Sequence, residues 1–363
     1  MIGILIIFGL GLTITLLPGL IYFLSPGRPR IRKVALGLGL SGITMTLLFI
    51  GLEAFWQLAG SHLPPGLMAK IPEELKRRDI PGTRDYYWHG HLFHFNAKGF
   101  RGAEWPPKST QVLRIMCLGD SLTYGEGIAE EDTYPSVLSH MLNKTYRVEI
   151  LNLGACGYQV SDVRKVLEQH FDELHPDLVT YGMCLNDYLP SMKPQYEGDQ
   201  YPVPLPLGFK NWLAGNTAVF AFLTQEYDGF LRRFHFRRDF FDDILISLKN
   251  DTSLKQDFLR DCAAMSRLMA ARGKPPILAM VVHQFRKDPR GRLLDDKSQE
   301  LMRRAGMEVL DDKPYFRGLE NENLTVSPWE GHPSSACQRI FAQILYDGLV
   351  KIHPDVLSRY SRN

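Results

Sequence analysis

Cysteine is scarce and scattered. Five occur among 363 residues, Cys117, Cys156, Cys184, Cys262 and Cys337, with no C-x-x-C pair and no zinc spacing. Neither a disulfide framework nor a metal site is expected, and nothing in the sequence calls for a cofactor. Three of these cysteines fall in or beside apparent strands, where a free thiol packs as a small hydrophobe. An excess of charge of one sign is also missing, with 42 Lys and Arg against 40 Asp and Glu. No bulk field draws the chain toward a polyanion, so no nucleic-acid partner is expected. Charge vanishes altogether from Met1 to Leu24, and between Val34 and Gly60 only Glu53 carries any.

Those two uncharged stretches are each long enough to cross a hydrocarbon core of about 30 Å. They predict spans at about residues 2–24 and 34–59, a transmembrane helical hairpin filling residues 1–60, with membrane lipid as its partner. The connecting SPGRPRIRK carries Arg28, Arg30, Arg32 and Lys33, and short positive loops stay in the cytoplasm. Both ends of the hairpin then face outward from the inner (cytoplasmic) membrane, and everything after about residue 60 is extracytoplasmic. A cleaved signal peptide would need a basic n-region and a small-residue cleavage site, which the first span lacks. Gly37, Gly39 and Gly42 spell G-x-G-x-x-G inside the second span. With no strand before them, they read as small residues for close helix packing. Pro18 predicts a kink in the first span, and Trp56 suits the outer interface.

Residues 61–110 form an irregular linker rich in Pro, Gly and aromatics, with one or two helical turns expected over Ile71 to Arg78. His89, His91 and His94 cluster there without a companion set of carboxylates or thiols, which favours packing or surface contact over metal binding. The stretch HFNAKGFRG follows, with Asn96, Gly99, Arg101 and Gly102.

From residue 111 to 355 strand and helix patterns alternate. Strands are expected at Leu113 to Leu118, Val148 to Leu153, Leu178 to Cys184, Ile277 to Val282 and Met307 to Leu310. Helices are expected at Pro135 to Lys144, Ser161 to Leu174, Leu254 to Arg272, Asp296 to Ala305 and Ser334 to His353. The alternation implies an α/β fold with a parallel sheet covered on both faces, whose active site belongs at the carboxyl ends of the strands. An insertion at about 188–250 is longer than the bare fold needs. Its prolines at 190, 194, 202, 204 and 206 precede an aromatic, basic helical stretch with Arg232, Arg233, Arg237 and Arg238. A lid, an acyl-binding wall, a contact with anionic headgroups or polysaccharide, and an ordinary crossover helix are all open readings.

Polar residues do follow the strands. Ser121 comes directly after the first, where a turn would present its hydroxyl as a nucleophile. Gly154 ends the second, where a glycine lets a backbone N–H approach a reacting oxygen. Asn186 follows the third with an amide donor, and Asp187 adjoins it. His332-Pro333-Ser334 precedes the final helix. Singly, each is an ordinary turn or cap residue.

Jointly they carry a resemblance. Gly119-Asp120-Ser121-Leu122 is the signature of the GDSL, or SGNH, hydrolases, and the chain is similar to them over about residues 96–353. Stretches of the form N-x-x-G-[FY]-R-G precede the GDS strand in many membrane-anchored members. The resemblance implies a flavodoxin-like three-layer SGNH hydrolase domain. It implies Ser121 as nucleophile, His332 as base, and an oxyanion hole formed by the Ser121 N–H, Gly154 and Asn186. Cys184 stands where the family has a glycine two residues before the asparagine. The usual acid, three before the histidine, is replaced by Trp329. Glu330 is the nearest carboxylate and is assigned the role, with Asp311, Asp312 or a dyad oriented by a backbone carbonyl as alternatives. The expected activity is carboxylic-ester hydrolysis through an acyl-enzyme, on an acylated, for instance acetylated, glycan or lipid of the cell envelope. An O-acyltransferase using the same site, or a non-catalytic envelope scaffold, are the alternatives.

Overall fold

The computed structural model describes residues 2–59, 82, 84–88, 90–189, 202–283, 287–319, 322–327 and 330–362. The expected turns at 71–78, His89, Pro190, Pro194 and Trp329 lie outside these residues. Two compact units make up the chain, residues 1–72 with 199–237 and residues 73–198 with 238–363.

The chain begins with α1 (Ile2–Leu24) and α2 (Pro29–Ala59). At about 1.5 Å per residue both exceed the thickness of a bilayer core. They are the two described helices that are long and apolar enough to cross a membrane. Small residues bring them together. A Cβ on Gly11 would collide with Thr46, one on Gly42 would come within 3.0 Å of Thr15 and one on Gly39 within 3.8 Å of Pro18, while one on Gly37 would meet open space. Arg32 lies 4.2 Å over the Tyr22 ring near the basic loop. Nearly all other apolar side chains on the pair point outward, Leu5 and Leu17 among them.

The second unit opens with a hairpin, β1 (Arg84–Trp88) against β2 (His91–Phe95), within the stretch expected to be irregular. His94 pairs across it with Asp85, and His91 is partly covered. Next come β3 (Leu113–Gly119), α3 (Ser121–Tyr124), α4 (Tyr134–Leu142), β4 (Val148–Gly154), α5 (Val160–Leu174) and β5 (Leu178–Met183). Thr133 caps α4, its Oγ1 accepting the Ser136 N–H, with Pro135 in the first turn. The insertion contributes α6 (Leu207–Asn216) and α7 (Ala218–Arg233) to the first unit and α8 (Phe240–Asn250) to the second. The remainder is α9 (Ser253–Ala271), β6 (Leu278–Val281), α10 (Pro289–Arg304), β7 (Glu308–Val309), α11 (Lys313–Phe316), β8 (Thr325–Ser327), β9 (Glu330–Pro333), α12 (Ser335–Ile352) and α13 (Pro354–Ser358).

Five strands form one parallel sheet in the order β4-β3-β5-β6-β7. Counted along the chain this is 2-1-3-4-5, the flavodoxin-like order, whose switch point lies between the first and third strands. Every residue of β3, β5 and β6 is buried, as strands covered on both faces require. One apolar core packs α5, α8, α9 and α10 against the sheet, with Phe171, Ile244, Phe258 and Met302. The other packs α4, α12 and α13, with Leu138, Phe341, Leu345 and Leu357. The result is a three-layer α/β domain, and Ser121 and Asn186 follow the two strands that flank its switch point.

Candidate active site

Three glycines stand side by side at the carboxyl edge of the sheet. Gly119 pairs with Gly154 on one neighbour and with Gly182 on the other. A Cβ on any of them would collide with Thr123 of α3, or with Tyr124 N in the case of Gly154. The bare backbone lets this one-turn helix settle onto the strand ends. Thr123 Oγ1 lies 3.0 Å from Tyr134 Oη between them. Gly182, displaced from the family's usual glycine position, thus has a steric reason for being there.

Ser121 is the first residue of that helix. Asp120 is its N-cap, Oδ1 accepting the Leu122 N–H at 2.9 Å. The hydroxyl is buried but reachable. Ser121 Oγ lies 2.9 Å from His332 Nε2 and 3.3 Å from Asp120 Oδ2. His332 comes from β9, which pairs with β8 just before α12. Ser334 caps α12 by accepting the Cys337 N–H. Two residues 211 positions apart are therefore within one hydrogen bond.

Two buried carboxylates underlie this pair. Burial raises the Asp120 carboxyl above its ordinary range, opposed by the Leu122 N–H and the His332 charge. Asp187 is raised further, by burial first and then by repulsion from Asp120. Its Oδ2 accepts from Tyr181 Oη and from Cys184 N at 3.2 Å, closing the turn Leu185–Tyr188 that carries Asn186. Both aspartates act as turn anchors. Asn186 Oδ1 is buried without a partner among the described residues.

Gly154 offers no spare donor, because its N–H is taken by Asn152 Oδ1 at 2.9 Å. Gly157, three residues on, is the half-buried glycine of the same loop. It adopts a left-handed conformation with φ of +68°, and no acceptor meets its N–H among the described residues. The loop lies against the strand and turn that carry Ser121, since Ala155 N donates to Gly119 O and Cys156 Sγ to Glu126 Oε2 at 2.8 Å. Of the candidate acids, Asp311 accepts from Lys313 N at 3.2 Å and Asp312 from Gln299 Nε2 at 3.3 Å. Glu330 lies on β9 two residues before the histidine, and its side chain is outside the described residues.

Arg101 and Gln338 are supports that sequence reasoning missed. Arg101 is 1% exposed. Its Nη1 donates to Tyr124 O and Gly125 O at 3.2 and 2.5 Å, and its Nη2 to Ile128 O at 2.7 Å. The guanidinium stacks 4.1 Å over Phe93. Asn96 makes this reach possible by folding the preceding turn, its Oδ1 accepting Lys98 N and Phe100 N. The N-x-x-G-F-R-G stretch is thus a clamp on the segment following Ser121. Gln338 on α12 accepts Tyr134 N at 2.8 Å and donates to Leu122 O at 2.9 Å. It ties the histidine's helix to the serine's. The signal in sequence was Arg101 itself, a charged residue inside an aromatic run.

The model of the GDSL-like Lipase/Acylhydrolase family matches residues 117–340. No curated protein sequence matches the chain. Among solved structures, similar ones include TesA, at 12% identity and a TM-score of 0.41 over 65% of this chain and 98% of that one. Another is a member of the lipolytic G-D-S-L family from Veillonella parvula DSM 2008, at 13% identity and a TM-score of 0.39 over 67% and 98%. A third is an acetyl xylan esterase, AlAXEase, at 12% identity and a TM-score of 0.41 over 65% and 100%. With the family model covering more than half of its length, the chain belongs to the GDSL-like lipase/acylhydrolase family and is a carboxylic-ester hydrolase.

Proposed function

We propose that this protein is a membrane-anchored serine esterase that removes acyl groups, acetyl among them, from a glycan or lipid of the cell envelope through an acyl-enzyme. The observation that carries the reading is the Ser121 Oγ to His332 Nε2 distance of 2.9 Å at a sheet switch point. A serine hydroxyl is a weak nucleophile until a base takes its proton. His332 Nε2 takes it as Oγ bonds to the acyl carbon. The same proton then passes to the departing alkoxide as the carbon–oxygen bond breaks, which leaves Ser121 acylated. Water repeats the sequence, with His332 as base and then acid, and frees the carboxylic acid and the serine.

Negative charge gathers on the former carbonyl oxygen in each half. Donors for it are the Ser121 N–H, which meets no acceptor among the described residues at the head of α3, the Asn186 side-chain amide and a loop N–H after β4. For that last donor we take Gly157 in place of Gly154, whose N–H is already engaged. Glu330 is the proposed orienting acid, on the strength of its position on β9. Glu330→Gln should then lower kcat by at least about tenfold, and an unchanged kcat would hand the role to a backbone carbonyl.

Anchoring rests on α1 and α2, and topology on the basic loop between them, which keeps the hydrolase unit extracytoplasmic. The direct test is fluorophosphonate labelling of the full-length protein in detergent. Labelling is expected on Ser121 and lost in Ser121→Ala. Folded protein that fails to label would favour a scaffold, and acyl release accelerated by added glycan would favour a transferase.

A further inference from the structure

Glu53 is the one carboxylate in α2, and it is 2% exposed. A buried acid in an apolar span is costly unless partnered, and its partner shows what it is for. Its Oε1 accepts from Gln57 Nε2 at 3.1 Å, and its Oε2 accepts the Val219 N–H at 3.0 Å, in the first turn of α7. That helix lacks a cap of its own, because Thr217 at the N-cap position spends its hydroxyl on Leu213 O. Glu53 supplies the missing acceptor from another segment. Trp56, one turn further along α2, packs on Phe222 at 4.9 Å between ring centroids. The start of α7 is thereby fixed to the far end of α2, opposite the basic loop.

From that fixed point, α7 turns an apolar stripe outward. Leu223, Tyr227 and Phe230, with Phe234 just past the end, recur every third or fourth residue and are 46–56% exposed. On the neighbouring α6, Phe209 and Trp212 are equally open and stack on each other at 5.9 Å. Exposed Arg233 stands beside the stripe in the last turn. Large exposed apolar faces mark an interaction site. Aromatic rings at the level where a span ends are the signature of a membrane–water interface.

We propose that α6 and α7 are a third membrane contact, an amphipathic pair lying in the outer interface with the stripe among the lipids and held there by the Glu53 cap. The occupant of the apolar face is the phospholipid surface that surrounds the hairpin, because α7 is held to α2 through Glu53 and Trp56 and belongs to the same unit as the outward-facing side chains of α1 and α2. This rests on the membrane-anchored reading above. An insertion in a hydrolase sequence thus becomes part of the anchor, and it would hold the enzyme to substrates presented at the bilayer surface.

The experiment uses full-length protein in vesicles of phosphatidylethanolamine and phosphatidylglycerol. Leu223→Cys, Phe230→Cys, Gln225→Cys and Leu16→Cys are each labelled with an environment-sensitive fluorophore, and signal from the parent protein is subtracted. Gln225 lies on roughly the opposite side of α7 from the stripe. Lipid bearing a nitroxide near the head of its acyl chain should quench the labels at 223 and 230 at least about threefold more than the label at 225. Aqueous iodide should show the reverse order. Equal quenching at 223, 225 and 230, with iodide reaching all three, would overturn the proposal. The label in α1 separates it from the reading beneath it. If lipid quenches 16 but not 223 or 230, the hairpin stands and the interfacial pair falls. If lipid quenches none, both fall. Glu53→Leu, which keeps the span apolar, should cut lipid quenching at 223 by at least half while leaving that at 16 unchanged. Unchanged quenching at 223 would overturn the role assigned to Glu53.

Discussion

At Ser121 two acceptors, one nitrogen and one oxygen, compete for the hydroxyl proton. His332 Nε2 at 2.9 Å is closer than Asp120 Oδ2 at 3.3 Å, and Asp120 is further committed to the Leu122 N–H. The shorter contact favours the histidine as the proposed base. Asn186→Ala removes one oxyanion donor, a loss of about 2.7–4 kcal/mol in transition-state stabilisation, and should lower kcat by two to three orders of magnitude with the fold intact. Steady-state kinetics on a soluble ester checks this, and an unaltered kcat would take Asn186 out of the site. The buried carboxylates make a separate prediction. Asp187 is raised in the folded protein by burial and by Asp120, so the unfolded chain gives up that proton first. Stability should fall as pH climbs above the ordinary carboxylate range of about 4 and toward the folded value. Asp187→Asn keeps an acceptor for Tyr181 and Cys184 and removes the repulsion. Its melting temperature should exceed the parent's at neutral pH, and the gap should close below about pH 4.

At the scale of elements, the site is a one-turn helix held from three sides. The three glycines lie beneath it, Arg101 grips the carbonyls that follow it, and Gln338 joins it to α12. Arg101→Met would strip acceptors at Tyr124, Gly125 and Ile128 of their donor, at a cost of about 3 kcal/mol or more. Because Arg101 works through the turn, kcat should fall with KM little changed, and Arg101→Lys should recover part of it. A loss of stability with unchanged kcat in the folded fraction would reduce Arg101 to a structural role. The five core strands were legible from short apolar runs to within a residue or two at each end, and in β3, β5 and β6 full burial on both faces leaves a dense local signal. Helix α10 starts seven residues before the expected Asp296, at the Asp288-Pro289 cap, which the sequence displays plainly. The β1–β2 hairpin was illegible because its aromatics alternate without a clear polar face. Gly154 was the natural choice for a donor by spacing, but the Asn152 side chain that claims its N–H is a contact no periodicity reveals.

For the molecule as a whole, sequence and structure divide the chain differently. By order along the chain, residues 188–250 interrupt a hydrolase. By contact, residues 199–237 belong with the hairpin, while α8 joins the hydrolase core through Phe241, Ile244 and Leu248. The link is a carboxylate in one segment capping a helix more than 160 residues away, which local pattern cannot encode. The Ser121–His332 meeting is just as distant, yet it was legible through the family resemblance, which assigned both residues their roles. The central claim is that this meeting does the chemistry. The measurement that tests it most directly is turnover of a short-chain p-nitrophenyl ester by the full-length protein beside Ser121→Ala and His332→Ala. Both variants should keep the parent's fold and lose at least about four orders of magnitude in kcat. Turnover at the parent's rate by either one would contradict the account.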